Sequence, residues 1–278
     1  MSGRLRVLDG RELGEALAFL ERSPIENLFL TSKLGDSSQQ RRHFGRLLAY
    51  RDDSDEIRAL CLDAGTIFVT GNDSAALPLF VEELGKFRRA TSIVGPSFAA
   101  LGLFVGLSER YGDVWRTCSN VRRKQPLMVL DVPPSFEGDA RVERLDESHF
   151  QSYLDASVDM YVGEIGSSPF KYGPGYESFV LSRLRNGDAY GIVEDGEVIF
   201  KADLGPRHDG QVQLQGVWVR PDLRGQGLSK GALAQMMMLV RREYPMVSLY
   251  VNDFNQPAVR SYERIGFRTV GSLSTVHY

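Results

Sequence analysis

The hydrophobic pattern is clearest in the second half of the chain, where apolar and polar residues alternate with the period of a β-strand. Strand-like runs are predicted there at residues 189–195, 197–205 and 211–221. The Asp195-Gly196 pair between the first two runs is typical of a tight hairpin turn. In the third run the alternation changes phase at Gly216, which predicts a bulge or a splayed strand at that point.

Helical periodicity occupies much of the remaining second half. The third strand-like run is followed by an apolar stripe with helical spacing, formed by Leu233, Met236, Met237 and Val240. Further helices are predicted at residues 148–164, 175–187 and 255–267, and further strands at 141–145, 247–251 and 267–278. The predicted order of elements is therefore β-α-α-β-β-β-α-β-α-β.

The first half shows a looser version of the same order. Strands are predicted near residues 5–8, 45–50, 57–62, 66–70, 92–95 and 126–130, and helices over 11–34, 75–88 and 97–110. Pro133, Pro134 and Gly138 then interrupt the pattern in an acidic stretch, as in a linker. We therefore predict an α/β protein with mixed sheets and two copies of one architecture: residues 1–132, a linker at 133–140, and residues 141–278.

Composition narrows the class of protein. Of the 278 residues, 42% are hydrophobic and 25% are charged, and a net charge of −3 gives no overall attraction to nucleic acid or an anionic membrane. Two basic clusters, at residues 39–43 and 121–125, are interpreted as local solvated faces. The longest apolar stretch, residues 98–107, is too short to cross a bilayer, and the N-terminus resembles no secretion signal. We expect a cytoplasmic protein that binds neither nucleic acid nor membrane.

The cysteines argue against a metal site. Cys61 and Cys118 are far apart in the sequence, and no C-x-x-C or H-x-x-x-H spacing is present. Two free thiols are compatible with a reducing cytoplasm. We therefore expect no metal cofactor.

A glycine-rich turn between a strand and a helix predicts a phosphate site at residues 220–231. A P-loop requires Gly-Lys-Ser/Thr, whereas the order here is Ser229-Lys230-Gly231. A dinucleotide-binding fold tolerates the glycines, but antiparallel strands precede this loop and only about fifty residues follow it. The remaining interpretation is the pattern R-x-x-G-x-[G/A/S], which is present at residues 224–229.

With this loop the chain resembles the GCN5-related N-acetyltransferase (GNAT) superfamily. A second signature of that family, N-x-x-A-x-x-x-Y followed by G-F, is present at Asn255, Ala258, Tyr262, Gly266 and Phe267. The predicted order of elements is also that of the family. Several longer stretches resemble an actinobacterial subfamily that joins an N-terminal DUF4081 domain to a C-terminal GNAT domain. The resemblance implies a GNAT fold in the second half and, because the first half has no R-x-x-G-x-G, a degenerate GNAT-like first half in a tandem arrangement.

The resemblance implies acetyl-CoA as co-substrate and an amine as acceptor. Backbone amides at residues 225–230 would hold the pyrophosphate, the strand at 217–219 would pair with the pantetheine arm, and a backbone N–H of that strand would stabilise the oxyanion. Tyr262, with a reference pKa of roughly 10, would donate a proton to the leaving thiolate. The predicted cofactor-binding residues are Val217, Trp218, Val219, Arg224, Gly225, Gln226, Gly227, Leu228, Ser229, Lys230, Asn255 and Tyr262.

The general base and the acceptor stay open at this stage. Glu164 and Asp203 are the candidate bases. The acceptor is a small-molecule amine or an amine of a protein or peptide. The first half, without a cofactor loop, either shapes the acceptor site or forms the surface of a homodimer. A non-catalytic module that senses acetyl-CoA or acts as a scaffold is the alternative function, and NADP-linked reduction is a third class.

Overall fold

The structure is a computed structural model that describes residues 3–40, 45–173 and 175–278. Residues 41–43 of the first basic cluster lie outside the described part of the chain. In the first half the elements are β1 (Arg4–Val7), α1 (Leu13–Leu20), α2 (Pro24–Gln40), β2 (Arg46–Arg51), β3 (Ile57–Ala64), β4 (Thr66–Gly71), α3 (Ala76–Leu84), β5 (Ser92–Pro96), α4 (Ser97–Tyr111), α5 (Asp113–Arg116) and β6 (Asn120–Leu130).

The second half repeats this order of elements, apart from the short helix α5. Its elements are β7 (Glu143–Arg144), α6 (Phe150–Ile165), α7 (Gly175–Arg185), β8 (Ala189–Glu194), β9 (Glu197–His208), β10 (Gln211–Val219), α8 (Leu228–Val240), β11 (Met246–Tyr250), α9 (Gln256–Ile265) and β12 (Arg268–His277). The predicted α/β class with mixed sheets and a repeated architecture is thereby confirmed.

The chain forms two compact units, and neither is continuous in sequence. Unit 1 comprises residues 1–128, 250–255 and 269–278, and unit 2 comprises residues 129–249 and 256–268. The predicted linker, residues 133–140, lies within unit 2, and the last strand of the chain lies almost entirely within unit 1. The domain division at residues 132 and 141 stays a prediction.

Unit 1 is built on the strand order β1-β2-β3-β4-β5-β12-β6. Strands β4 and β5 are parallel, and β12 is antiparallel to β5 from Leu273 opposite Pro96 to His277 opposite Ser92. A core cluster joins side chains from α3, α4, α5, β5 and β12, among them Phe80, Leu103, Trp115, Ile93 and Val276. Residues from the end of the chain therefore complete a core that begins in the first half.

Unit 2 is built on the strand order β11-β10-β9-β8-β7. The predicted hairpin is confirmed, because β8 and β9 are antiparallel and Asp195 and Gly196 both have positive φ, at 50° and 80°. Helices α6 and α7 share a core cluster with the sheet, and α8 packs on β8 and β9. The apolar stripe of α8 is buried as predicted, at Leu233, Met236, Met237 and Val240.

The most apolar stretch of the sequence is part of the core of unit 1. Residues 98–107 lie in α4, where Ala99, Ala100 and Leu103 are buried. Among the residues that the structure describes, none of the helices combines the length and the apolar character that a membrane span requires.

We predict that Val276→Ala destabilises unit 1 although the residue lies at the end of the second half. Val276 is fully buried opposite Ile93 of β5, so its truncation leaves a cavity and lowers the free energy of unfolding by about 1–3 kcal/mol. Hydrogen exchange measured by mass spectrometry should accelerate in β5 and α4 more than in α6 and α7. Val270→Ala, at a partly exposed position of the same strand, is the control and should change the stability by less than about 0.5 kcal/mol. Equal acceleration in α6 and α7 would contradict the assignment of this strand to unit 1.

Candidate functional site

Strand β10 is irregular along both of its edges. On one edge its register with β9 shifts between Gln215 and Trp218, which confirms the bulge predicted at Gly216. On the other edge, within the part of the chain that the structure describes, its parallel pairing with β11 is confined to residues 211–213, opposite 246–248. The second half of β10 therefore has one edge that β11 does not cover.

The backbone of Val219 faces this uncovered edge. The N–H of the following residue, Arg220, donates to the Ile199 carbonyl at 2.9 Å. Successive residues of a strand direct their amides to opposite edges, so the Val219 N–H points away from β9. The Val219 carbonyl accepts a hydrogen bond from Nε of Arg224 at 2.9 Å.

The turn between β10 and α8 adopts backbone conformations that favour glycine. After a 3₁₀ turn at Pro221–Leu223, Gly225 and Gly227 have φ values of 78° and 88°, which are unfavourable for a residue with a Cβ atom. A Cβ atom placed on Gly225 would meet no atom within 4 Å. The space outside Gly225 is therefore open to a ligand.

Open backbone amides are the main binding feature of this turn. In the described residues, the N–H groups of residues 225–229 have no acceptor, whereas the Lys230 N–H donates to the Gly227 carbonyl at 3.1 Å. Unpaired N–H groups at the start of a helix carry the positive end of the helix dipole and favour anions. The available donors are thus five consecutive amides, one fewer than the sequence predicted.

Asp159 of α6 holds the two larger side chains near the turn. Its Oδ2 atom accepts a hydrogen bond from the Trp218 indole at 2.7 Å and lies 3.5 Å from the Arg224 guanidinium. The Trp218 side chain is buried in the core cluster that contains Tyr153. Arg224 is about half exposed. The side chain of Trp218 is therefore part of the core. Arg224 links the turn to β10 and α6, and its charge stays at the surface.

Lys230 adds a second positive charge near the open amides. A Cβ atom on Gly227 would meet Cε of Lys230 at 3.6 Å, and the Lys230 ammonium lies 5.5 Å from the centre of the Phe136 ring. The Asp139 N–H donates to the Gly231 carbonyl at 3.0 Å. The segment predicted to be a linker thus packs along the first turn of α8.

Tyr262 is a buried residue of α9. Its ring lies edge to face against Phe267, with 5.7 Å between ring centres. Burial and, second, the carboxylate of Glu164 raise the pKa of Tyr262 far above its usual value, because both disfavour the phenolate. Glu164 itself is exposed near the end of α6. Its electrostatic effect on Tyr262 means that the fold brings these two predicted catalytic residues near each other.

Asn255 lies directly before α9. It is exposed, and its backbone N–H donates to the Asn252 carbonyl at 2.9 Å. Its contact with the pantetheine arm stays a prediction.

Asp203, the other candidate base, already has two partners. The ammonium of Lys201 donates to its Oδ2 atom at 2.7 Å, and the hydroxyl of Tyr153 donates to its Oδ1 atom at 2.6 Å. Burial and the neighbouring Asp203 raise the pKa of Tyr153 far above its usual value, so that this hydroxyl stays protonated. Both carboxylate oxygens of Asp203 are thus engaged, which leaves Glu164 as the more accessible of the two carboxylates.

Lys201 is a feature of the site that the sequence analysis missed. Its ammonium donates to Asp203 and also to the Gly216 carbonyl, at 3.2 Å. The signal in the sequence is the i, i+2 spacing of Lys201 and Asp203, which places both side chains on one face of a strand. A Cβ atom on Gly216 would lie 2.3 Å from Oδ2 of Asp203 and 3.1 Å from the Lys201 ammonium. The ion pair therefore fits beneath the bulge because residue 216 has no side chain.

The corresponding loop of unit 1, residues 72–75 between β4 and α3, is built differently. The Asp73 carboxylate accepts the Ala75 N–H at 2.9 Å, and the Asp73 carbonyl accepts the Ala76 N–H at 3.2 Å. Asp73 therefore satisfies backbone donors directly before α3. A carboxylate at this point uses the donors and repels a second anion.

Two family models match the chain. Residues 45–153 match DUF4081, a domain of unknown function, and residues 150–267 match the acetyltransferase (GNAT) family. The second match contains the turn before α8 and the helix that carries Tyr262. Both parts of the resemblance recognised in the sequence are confirmed.

A mycothiol acetyltransferase of Saccharomonospora viridis is 27% identical over 186 residues, covering 59% of this chain and 57% of that protein. The chain thus spans little more than half the length of this curated relative. A GCN5-related N-acetyltransferase from Sphaerobacter thermophilus superposes with a TM-score of 0.60 at 14% identity, over 98% of this chain and 95% of that one. A tandem GNAT protein from the clavulanic acid biosynthesis pathway gives 0.54 at 13% identity, over 99% and 98%. These two structures share the fold.

We predict that Gly216→Ala destabilises unit 2. Its φ of 60° disfavours alanine by about 1–2 kcal/mol, and the new methyl group would displace the Lys201–Asp203 pair. Thermal and urea unfolding should both report the loss. Gly163→Ala in α6, where a Cβ atom meets nothing within 4 Å, is the matched control and should stabilise by about 0.5–1 kcal/mol. A Gly216→Ala protein as stable as the wild type would show that the bulge does not depend on glycine.

Proposed function

Residues 150–267 form a domain of the GNAT acetyltransferase family, and from this premise we propose that the chain is an acetyl-CoA-dependent N-acyltransferase. The observation that carries the proposal is the row of open amides at residues 225–229, beside the uncovered edge of β10. A pyrophosphate needs several N–H donors at once, and the start of α8 supplies them together with the charges of Arg224 and Lys230. The remaining residues of the turn, from Gly225 to Ser229, contribute through their backbone.

The pantetheine arm would extend along the uncovered edge of β10. Its amide groups behave like those of a peptide, and a strand edge binds such a chain through backbone hydrogen bonds. The Val219 N–H faces that edge, so the segment from Val217 to Val219 would bind the cofactor through its main chain. By the same alternation the Trp218 N–H faces β9, and its side chain is buried. Trp218 would therefore serve as the spacer between Val217 and Val219.

In the proposed reaction the amine lone pair attacks the thioester carbon. The carbonyl π electrons move to oxygen, and a backbone N–H of β10 stabilises that oxyanion. When the carbonyl re-forms, the C–S bond breaks and the CoA sulfur takes a proton from Tyr262. The surplus proton of the nitrogen passes to Glu164, directly or through water. Glu164 then releases it to water, water returns a proton to Tyr262, and the net transfer is one proton from nitrogen to sulfur. Because burial and Glu164 raise the pKa of Tyr262, its hydroxyl carries a proton when the reaction begins.

The acceptor is proposed as a small-molecule amine. The curated relative carries the name mycothiol acetyltransferase, so a small molecule of the mycothiol type is the first acceptor to test. An amine of a protein or peptide is the second. The exposed position of Glu164 is compatible with either.

We predict that Ser229→Asp weakens CoA binding without destabilising the protein. A carboxylate in the first turn of α8 stabilises the helix but repels the pyrophosphate. The dissociation constant for CoA, measured by calorimetry, should rise by at least about tenfold, whereas the melting temperature without ligand should stay the same or increase.

The control for this substitution is Met238→Glu, which introduces the same charge at an exposed position further along α8 and should leave CoA binding unchanged. NADP is the comparison ligand. Stabilisation by NADP and not by CoA would contradict the proposal, as would equal CoA affinity of Ser229→Asp and the wild type.

We predict that Tyr262→Phe lowers kcat for thiol release from acetyl-CoA by about 100-fold or more, because general acid catalysis is lost, while CoA binding is kept. The pKa of the Tyr262 hydroxyl is raised above its reference value of roughly 10, so the hydroxyl stays protonated up to about that pH. The wild-type kcat should therefore show no loss due to Tyr262 ionisation between neutral pH and about pH 10.

Tyr244→Phe, remote in sequence from α9, is the matched control. An alkaline loss of kcat below about pH 9 that disappears in Tyr262→Phe would contradict the raised pKa. If the wild type binds CoA tightly and releases no thiol with any amine tested, the protein is a non-catalytic sensor or scaffold and not an enzyme.

A further inference from the structure

Lys201 is a cation enclosed in unit 2. Its side chain is 1% exposed. Its ammonium donates to Oδ2 of Asp203 at 2.7 Å and to the Gly216 carbonyl at 3.2 Å. It also lies 3.9 Å from Sδ of Met160 and 5.0 Å from the centre of the Tyr153 ring. The ammonium is therefore surrounded by groups of unit 2 beneath β10.

A contribution to stability does not by itself explain a buried ion pair such as Lys201–Asp203. The desolvation of two buried charges offsets most of their attraction, and well-packed apolar residues of similar size often do as well or better. An apolar pair, however, has no donor for the Gly216 carbonyl. That hydrogen bond is the contribution that only a buried donor at position 201 makes.

The Gly216 carbonyl belongs to the same peptide group as the Val217 N–H. In a trans peptide the C=O and N–H bonds point in opposite directions, so a carbonyl directed at Lys201 turns the Val217 N–H away from it. Neither Gly216 nor Val217 has a partner in the register with β9, because both lie within the bulge. Without Lys201 the orientation of this peptide would be weakly determined.

A charged donor on the carbonyl also changes the strength of the N–H. Charge-assisted hydrogen bonds are stronger than neutral ones, and hydrogen bonds in a chain polarise each other. The ammonium draws electron density toward the Gly216 oxygen, which leaves the Val217 hydrogen more positive. The effect is largest inside a protein, where little water screens the charge.

We propose that Lys201 is a positioning residue that orients and polarises the Gly216–Val217 peptide, so that the Val217 N–H binds the thioester oxygen as negative charge develops on it. This inference rests on the proposed function, because it requires acetyl-CoA along β10. Lys201 does not touch the cofactor and exchanges no proton in the reaction. Asp203 acts behind it by accepting a hydrogen bond from its ammonium.

The test is the infrared carbonyl stretch of bound acetyl-CoA labelled with carbon-13 at the thioester carbonyl, which needs no acceptor. In the wild type the stretch should move to lower wavenumber on binding. In the double variant Lys201→Met/Asp203→Asn, which removes both charges together, most of that displacement should be lost. The dissociation constant for CoA without the acetyl group should change by less than about threefold, since the pyrophosphate site is untouched.

Tyr153→Phe is the matched control, because it removes a buried hydroxyl from the same pocket but leaves the Lys201–Gly216 hydrogen bond. It should keep the wild-type displacement. Lys201→Gln/Asp203→Asn, which retains a neutral donor, should keep an intermediate part of it and replaces the first double variant if that protein does not fold by circular dichroism.

The outcomes distinguish a failure of the proposed function from a failure of the proposed role of Lys201. Acetyl-CoA that does not bind the wild type overturns the proposed function, and the role of Lys201 with it. Acetyl-CoA that binds with an equal displacement in the wild type and the double variants overturns the role of Lys201 alone. An equal loss in Tyr153→Phe also overturns it, because the effect is then a general loosening of the pocket.

Discussion

The site in unit 2 depends on one local constraint, the bulge in β10 that rests on the buried Lys201–Asp203 pair. The bulge exists because residue 216 has no Cβ atom, and a Cβ there would lie 2.3 Å from the Asp203 carboxylate. It shifts the register with β9 just where pairing with β11 has ended. The strand is therefore anchored on one edge and uncovered on the other, and the Val219 N–H faces the uncovered edge without a loss of core packing.

In the turn that follows β10, as in the bulge, glycine leaves backbone groups exposed. Residues 225–229 keep their N–H groups open at the start of α8, an arrangement that carries a free-energy penalty unless water or an anion satisfies them. The ties from Arg224 to Val219 and Asp159 hold the turn in this conformation. The amides are thus arranged without a ligand, so an anion that bound there would cost little conformational entropy.

The two halves of the chain show how one architecture can present either capped or open amides at the start of a helix. In both, the parallel pair of strands is matched at three positions before the strands part, 66–68 with 92–94 in unit 1 and 211–213 with 246–248 in unit 2. Unit 1 then places the Asp73 carboxylate on the amides at the start of α3, whereas unit 2 places two glycines in the left-handed region and leaves the amides open. An acidic side chain in place of a glycine turn reverses the sign of the local charge, so the start of α3 is less favourable for an anion than the start of α8.

The sequence by itself determined the order of elements, the hairpin at Asp195-Gly196, the bulge at Gly216, the turn before α8 and the family of the second half. These are short-range properties, set by periodicity and by the few residues that tolerate positive φ. Tertiary structure alone decided that β12 completes the sheet of unit 1, that Asp203 is engaged by Lys201 and Tyr153, and that the Trp218 side chain faces the core. Val276 packs in the same core as Ile93 although more than 180 positions separate them, and the state of a buried charge depends on partners from other elements. No local pattern carries that information, because strand pairing and burial are properties of the folded chain as a whole.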